Sequence, residues 1–166
     1  FKTLGGDSED LVNKLKLVSI ELNGSASTAE LTGAAYDVAS AGFVEAADAA
    51  MILKAASQGA TGGFSDINTV GNAATSVLNA YGKSAKDAGF LVDQFIQTQN
   101  DGKIIVAEYA ANIGKVASVA ATMNVPLKEV NAAIAQVTAA GVKSEVAFTG
   151  MKTALLRLTG EAGGKK

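Results

Sequence analysis

The stretch Leu31-Thr32-Gly33-Ala34-Ala35-Tyr36-Asp37-Val38-Ala39-Ser40-Ala41-Gly42-Phe43 decides the fold. Leu31, Ala34, Ala35 and Val38 recur at helical spacing and form one apolar stripe, and Ala41-Gly42 then breaks it. Glycine has no Cβ, so just past a helix end it adopts the left-handed conformation at little cost. In such a stop the next residue packs back onto the third helical position from the end, which pairs Phe43 with Val38. The device recurs 99 residues later as Val137, Ala140, Gly141 and Val142, with Glu129-Val130 upstream where the first copy has Glu30-Leu31. Each copy encodes a helix that stops sharply and hands over to another. The echo is too weak to define duplicated domains and is accounted for by two similar hairpins.

Outward from these stops, the chain reads as helix after helix. It holds one Pro, is rich in Ala and shows strong 3.6-residue periodicity, so strands are not expected. A first helix runs near Ser8 to Leu22 and ends at Asn23-Gly24, a turn that also accounts for the Asn23-Gly24-Ser25 glycosylation pattern. Ser27 and Glu30 form a capping box for the second helix, which ends at Gly42. The third spans about Glu45 to Ser57. Gly59, Gly62 and Gly63 follow and read as a linker and hinge.

Ser65 or Asp66 caps a fourth helix that Gly82 ends, and Ser84 with Asp87 caps a fifth. Asn100-Asp101-Gly102 signals a turn. A sixth helix carries Val106, Tyr109, Ala110, Ile113 and Val116. Pro126 at a first helical position opens the seventh, and Ser144 caps the eighth. Each helix has one apolar stripe and a polar back, so each needs a neighbour. The expected fold is all-α: a compact bundle or short stack of about eight amphipathic helices joined by Gly-containing turns. Short connections favour antiparallel neighbours.

Composition excludes whole classes of chemistry. The chain has no His and no Cys, which removes the commonest proton shuttle, the soft metal ligands and every Ser-His-Asp or Cys-His arrangement. Gly82-Lys83-Ser84 imitates the end of a phosphate-binding loop. That loop needs a Gly at position 77, where Val77 stands, so the tripeptide reads as a helix stop followed by a cap. Asp7, Glu9 and Asp10 sit where acids favour a helix N-terminus. No catalytic, metal-binding or cofactor-binding residue is expected, and the chain does not read as an enzyme.

A net charge of −2 with scattered Lys and a single Arg, Arg157, gives no nucleic-acid footprint. Asp48, Lys54 and Lys115 interrupt the longest apolar windows, so no membrane span is expected. Phe43, Phe64 and Phe90 lie near Gly at helix ends, where they staple turns onto the bundle. If exposed together they would mark a docking surface.

From Leu31 to Leu158 the chain resembles the conserved helical region of phage tail tape measure proteins, also called phage minor tail proteins. The resemblance rests on Leu31 to Phe43, Val77-Leu78-Asn79-Ala80-Tyr81-Gly82, Gly114-Lys115-Val116-Ala117, Ala139-Ala140-Gly141-Val142 and Thr153-Ala154-Leu155-Leu156-Arg157-Leu158, in that order and spacing. It implies a structural component of a phage or prophage tail. In that family a long helical chain lies in the growing tail tube, helps set its length and templates its assembly. The implied partners are copies of itself, tail tube and tail-tip proteins, and tail assembly chaperones. The implied location is the virion tail, in the tube lumen or at the tip, with the bacterial cytoplasm during assembly.

Starting at Phe1 with no Met, the 166 residues read as one helical domain within a much longer chain. Residues 1–26 are a leading helix and turn, 27–158 the family-like region and 159–166 a flexible tail. A bacterial all-helical adaptor or protein-binding module unrelated to tails is the alternative. A long gene among tail genes separates the first reading from the second.

Overall fold

The computed structural model describes residues 7–63, 65–158 and 160. Among these every regular element is helical: α1 (Ser8–Glu21), α2 (Thr28–Ser40), α3 (Ala46–Gly62), α4 (Ile67–Ala80), α5 (Ala88–Asp101), α6 (Val106–Thr122), α7 (Leu127–Ala139) and α8 (Ser144–Leu158). A single 3-10 turn, Ala85–Asp87, precedes α5. The all-α expectation holds. The expected tail at 159–166 lies outside the described residues apart from Gly160, and so does Phe64.

Local chemistry sets these boundaries. The Asp7 carboxylate accepts from the N–H groups of Glu9 (2.9 Å) and Asp10 (3.1 Å) and starts α1. At α2 the Ser27 hydroxyl accepts from Glu30 N–H (3.2 Å), and the Glu30 carboxylate accepts from Ser27 N–H (2.8 Å). Asp66 rather than Ser65 caps α4, accepting from Thr69 N–H at 2.8 Å. Pro126 stands at the cap of α7 instead of inside its first turn, and Ser144 is the first residue of α8 rather than the residue before it. Both differ by one position from the sequence reading, because either residue is tolerated on both sides of a helix start.

Two rows of helices stack side by side. α1, α3, α5 and α7 make one row and α2, α4, α6 and α8 the other, so each helix packs most closely on the helix two places away or on its partner across the rows. The fold is thus a compact helical bundle built as a short stack of hairpins. Hydrogen bonds stitch the second row at its turns. The Asn79 side chain on α4 donates to Ala41 O past the end of α2 (2.9 Å), and Tyr81 Oη past α4 donates to Val125 O past α6 (3.1 Å).

The core fills the space between the rows. Leu15, Leu31, Ile52, Leu53, Leu78, Leu91 and Ile113 are fully enclosed. Tyr109 on α6 lies between Phe95 on α5 (ring centroids 4.8 Å apart) and Phe148 on α8 (5.6 Å, edge to face), locking three helices together. Small residues let helices approach closely: Ala34, Ala74, Ala110 and Ala117 are all buried.

The glycine run behaves differently from the linker and hinge expected of it. α3 continues through Gly59 and Gly62, and Gly63 caps it. Gly59 is buried against α5, where an added Cβ would stand 2.3 Å from Val92 Cγ1. A Cβ at Gly62 would meet Ile96 Cδ1 at 3.3 Å, and one at Gly63 would meet Val106 Cβ at 2.4 Å. These glycines are a packing seam. They lack side chains because α5 and the start of α6 occupy that space.

Candidate docking surface

The sharp stops come from purely local geometry. Gly42 (φ +103°), Gly82 (φ +59°) and Gly141 (φ +95°) all have left-handed backbones. In each stop the residue after Gly donates its N–H back across the helix end: Phe43 to Val38 O (3.3 Å), Lys83 to Leu78 O (2.8 Å) and Val142 to Val137 O (3.2 Å). These bonds satisfy carbonyls that the helix leaves orphaned. Beyond the backbone, the two sequence-matched copies diverge. Phe43 is half-buried against the core and Val38 is buried, whereas Val137 and Val142 are both exposed.

The three phenylalanines do not form one surface. Phe43 belongs to the core edge and Phe64 lies outside the described residues, but Phe90 in the first turn of α5 is 65% exposed. It lines a groove of about 720 Å³ between α5 and α7. Along α5 the groove is lined by Phe90, Gln94, Gln97 and Asp101, and along α7 by Leu127, Asn131 and Ala135. That α5 stripe covers eleven residues of rise, roughly 17 Å, the length of three helical turns.

Gln94 and Asn131 line the groove, and Tyr109 lies buried and hydrogen-bonded to Asn131. Tyr109 Oη reaches from α6 and donates to Asn131 Oδ1 (2.6 Å), while Asn131 Nδ2 donates to Gln94 Oε1 (3.3 Å). Tyr109 and Asn131 are buried. Burial pushes the Tyr109 hydroxyl well above its ordinary pKa; nearby Tyr81 adds to the shift and the Asn131 bond opposes it. Tyr109 therefore stays a neutral donor. Neither Asn131 nor Gln94 was legible as a site residue, since single amides on helices read as solvent faces.

Charged side chains stand at both ends of the groove. The Tyr81–Val125 bond ties the segments that precede α5 and α7, so both helices begin at one end, where Lys83 and Lys128 also stand. That end carries the Lys83 and Lys128 ammonium groups, with the Asp87 and Glu129 carboxylates in the same opening turns. Asp101 lines the other end, and Lys103 follows it in the chain. Gly102 seals that end, because a Cβ there would lie 2.9 Å from Ala135 Cα.

Nothing in the groove supplies a nucleophile paired with a base. Among the described residues, no three His, Cys, Asp or Glu side chains gather to hold a metal ion. No single described helix is long and apolar enough to cross a membrane. The Gly82-Lys83-Ser84 tripeptide serves as stop and cap: Ser84 N–H and Oγ both donate to Asp87 Oδ2 at 3.0 Å.

A family described as phage-related minor tail protein matches residues 17–166. The tape measure protein of Pneumococcus phage Dp-1 is 28% identical over 164 residues, covering 95% of this chain and 14% of that protein. The chain therefore spans about one-seventh of the length of the relative it matches. No solved structure matches. An all-helical chain matched over most of its length by one family model belongs to the phage-related minor tail protein family.

Proposed function

We propose that this chain is one folded segment of a tape measure protein, helping to set tail length and to template assembly of the tail tube. The observation that carries the reading is the match to a phage tape measure protein across 95% of the chain. A phage tail component is a structural part, and the family match sets aside an adaptor unrelated to tails. Its partners in this reading are copies of itself, tail tube and tail-tip proteins, and assembly chaperones. It resides in the tube lumen or at the tip of the virion tail, after assembly in the bacterial cytoplasm.

Helix suits a ruler because each residue adds a fixed rise of about 1.5 Å. The test is tail length in electron micrographs of particles whose gene lacks, or carries twice, the codons for residues 7–158. Unwound into one helix, that segment would contribute about 230 Å. Kept as a two-row stack, it would contribute far less. Shorter tails on deletion and longer tails on duplication support the ruler. Unchanged length in both contradicts it.

A further inference from the structure

Each inner helix of the stack has a neighbour on both sides within its row, whereas α1, α2, α7 and α8 have one. The exposed large apolar residues follow that division. Leu17, Ile20, Tyr36, Val137, Val142, Val146 and Leu158 belong to the two end pairs or the turn between α7 and α8; only Phe90 and Ile105 belong to the middle.

Glycines inside helices make the same distinction. In the inner helices an added Cβ would meet a neighbour: at Gly59 it would clash with Val92 (2.3 Å), and at Gly71 and Gly114 it would touch Ala56 (3.7 Å) and Ser76 (3.8 Å) at ordinary contact distance. On the end helices α2 and α8, Gly33 and Gly150 have nothing within 4 Å of an added Cβ. Gly89, in the first turn of α5, is the other open helical glycine among the described residues. Glycine is a poor helix former, so a mid-helix glycine with open space beside it has neither the packing reason of Gly59 nor the neighbour of Gly71 and Gly114.

On α8 this glycine lies in the middle of an exposed ridge. Val146, Gly150, Ala154 and Leu158 recur every four residues, and all are exposed. Ridges of that spacing interlock with a second helix, and a Gly-Ala centre lets the axes come close. Arg157 and Glu145 flank the ridge and supply polar edges.

We infer that both rows continue, and that the outer face of α8 seats the next helix of its row, supplied by flanking polypeptide of the same chain. The matched relative is about seven times as long as this segment, which makes flanking polypeptide the occupant inferred here. A tethered helix competes at an effective concentration near millimolar, which favours it over a second copy. The complementary apolar face of α1, with Leu17 and Ile20, is the corresponding seat at the other end. The inference stands apart from the length-setting role, since a stack of rows requires no ruler.

The test uses the full-length gene product, with single cysteines at Val146→Cys, Ile20→Cys and, as a control on the exposed turn between α5 and α6, Lys103→Cys. N-ethylmaleimide labelling at each site is followed by peptide mass spectrometry. The expected result is labelling of Val146→Cys and Ile20→Cys at least tenfold slower than Lys103→Cys, unchanged over a hundredfold dilution. Equal rates at all three sites overturn the inference. Protection that disappears on dilution also overturns it, because the cover is then a second copy.

Discussion

The two seams that α5 makes within its row differ in construction. Towards α3 the seam is shut: Gly59 lets the helices approach until Val92 fills the space a side chain would need. Towards α7 the seam opens into a groove. Gln94 and Asn131 line it, and Asn131 is hydrogen-bonded to Gln94 and to the buried Tyr109. A row of parallel helices is thus closed where glycine removes bulk and open where polar groups must be satisfied. Of the two seams, only the open one carries an exposed aromatic side chain, Phe90.

The largest expected effect breaks the shut seam. Gly59→Ala gains helix propensity but drives a methyl group into Val92, and should cost about 2–3 kcal/mol in urea unfolding. Adding Val92→Ala should recover part of the loss, because the two changes share one space. Additive losses in the double variant would show that the seam is not closed by this contact.

Next comes the open seam. Tyr109→Phe keeps the ring between Phe95 and Phe148 but removes the donor to buried Asn131, with an expected cost of about 2 kcal/mol. Gly82→Ala, at the turn leading into the groove, should cost about 1 kcal/mol through its left-handed backbone alone. Phe90→Ser should change stability by less than about 0.5 kcal/mol, since the ring is exposed. Its effect should appear in assembly of tail proteins around the chain. A large loss of stability would mean the ring serves the core and not a partner.

Acid sharpens the same contrast. Backbone and side-chain hydrogen bonds from Ser84 hold the Asp87 carboxyl below its ordinary range, at the start of α5. A lowered folded-state pKa contributes stability above the unfolded value near 4, which is lost as pH falls through the folded value. Amide protection factors, which correct for the slower intrinsic exchange in acid, should therefore fall in the turn before α5 below about pH 4, while those at the Gly59 seam should hold. The Ser27 hydrogen bond lowers Glu30 in the same way, and the Thr69 side chain lowers Asp66, so the starts of α2 and α4 should loosen over the same acid range.

What the sequence made legible follows from the range of each interaction. The stops at Gly42, Gly82 and Gly141 and the Ser27–Glu30 box are closed by partners within five residues, so spacing alone reveals them. The rows were not legible, because the link from α4 to α6 spans residues with no mutual signature in the chain. Gly59, Gly62 and Gly63 read as a linker for the same reason: a missing side chain means freedom in isolation and close contact once Val92, Ile96 and Val106 are in place. The lining of the groove left one signal. Asn131 falls four residues after Leu127 and three before Ile134, a polar group within an apolar stripe, and such groups need buried partners.

The row arrangement can be tested by covalent trapping in a segment that contains no cysteine. A Cβ at Gly114 on α6 would lie 3.9 Å from Ser76 Cβ on α4, within the spacing of natural disulfides. Ser76→Cys combined with Gly114→Cys should form an intramolecular disulfide in nearly every molecule under mild oxidation, read as a mobility shift that reductant reverses. Free thiols at both sites, or disulfides only between separate molecules, would contradict the two-row stack.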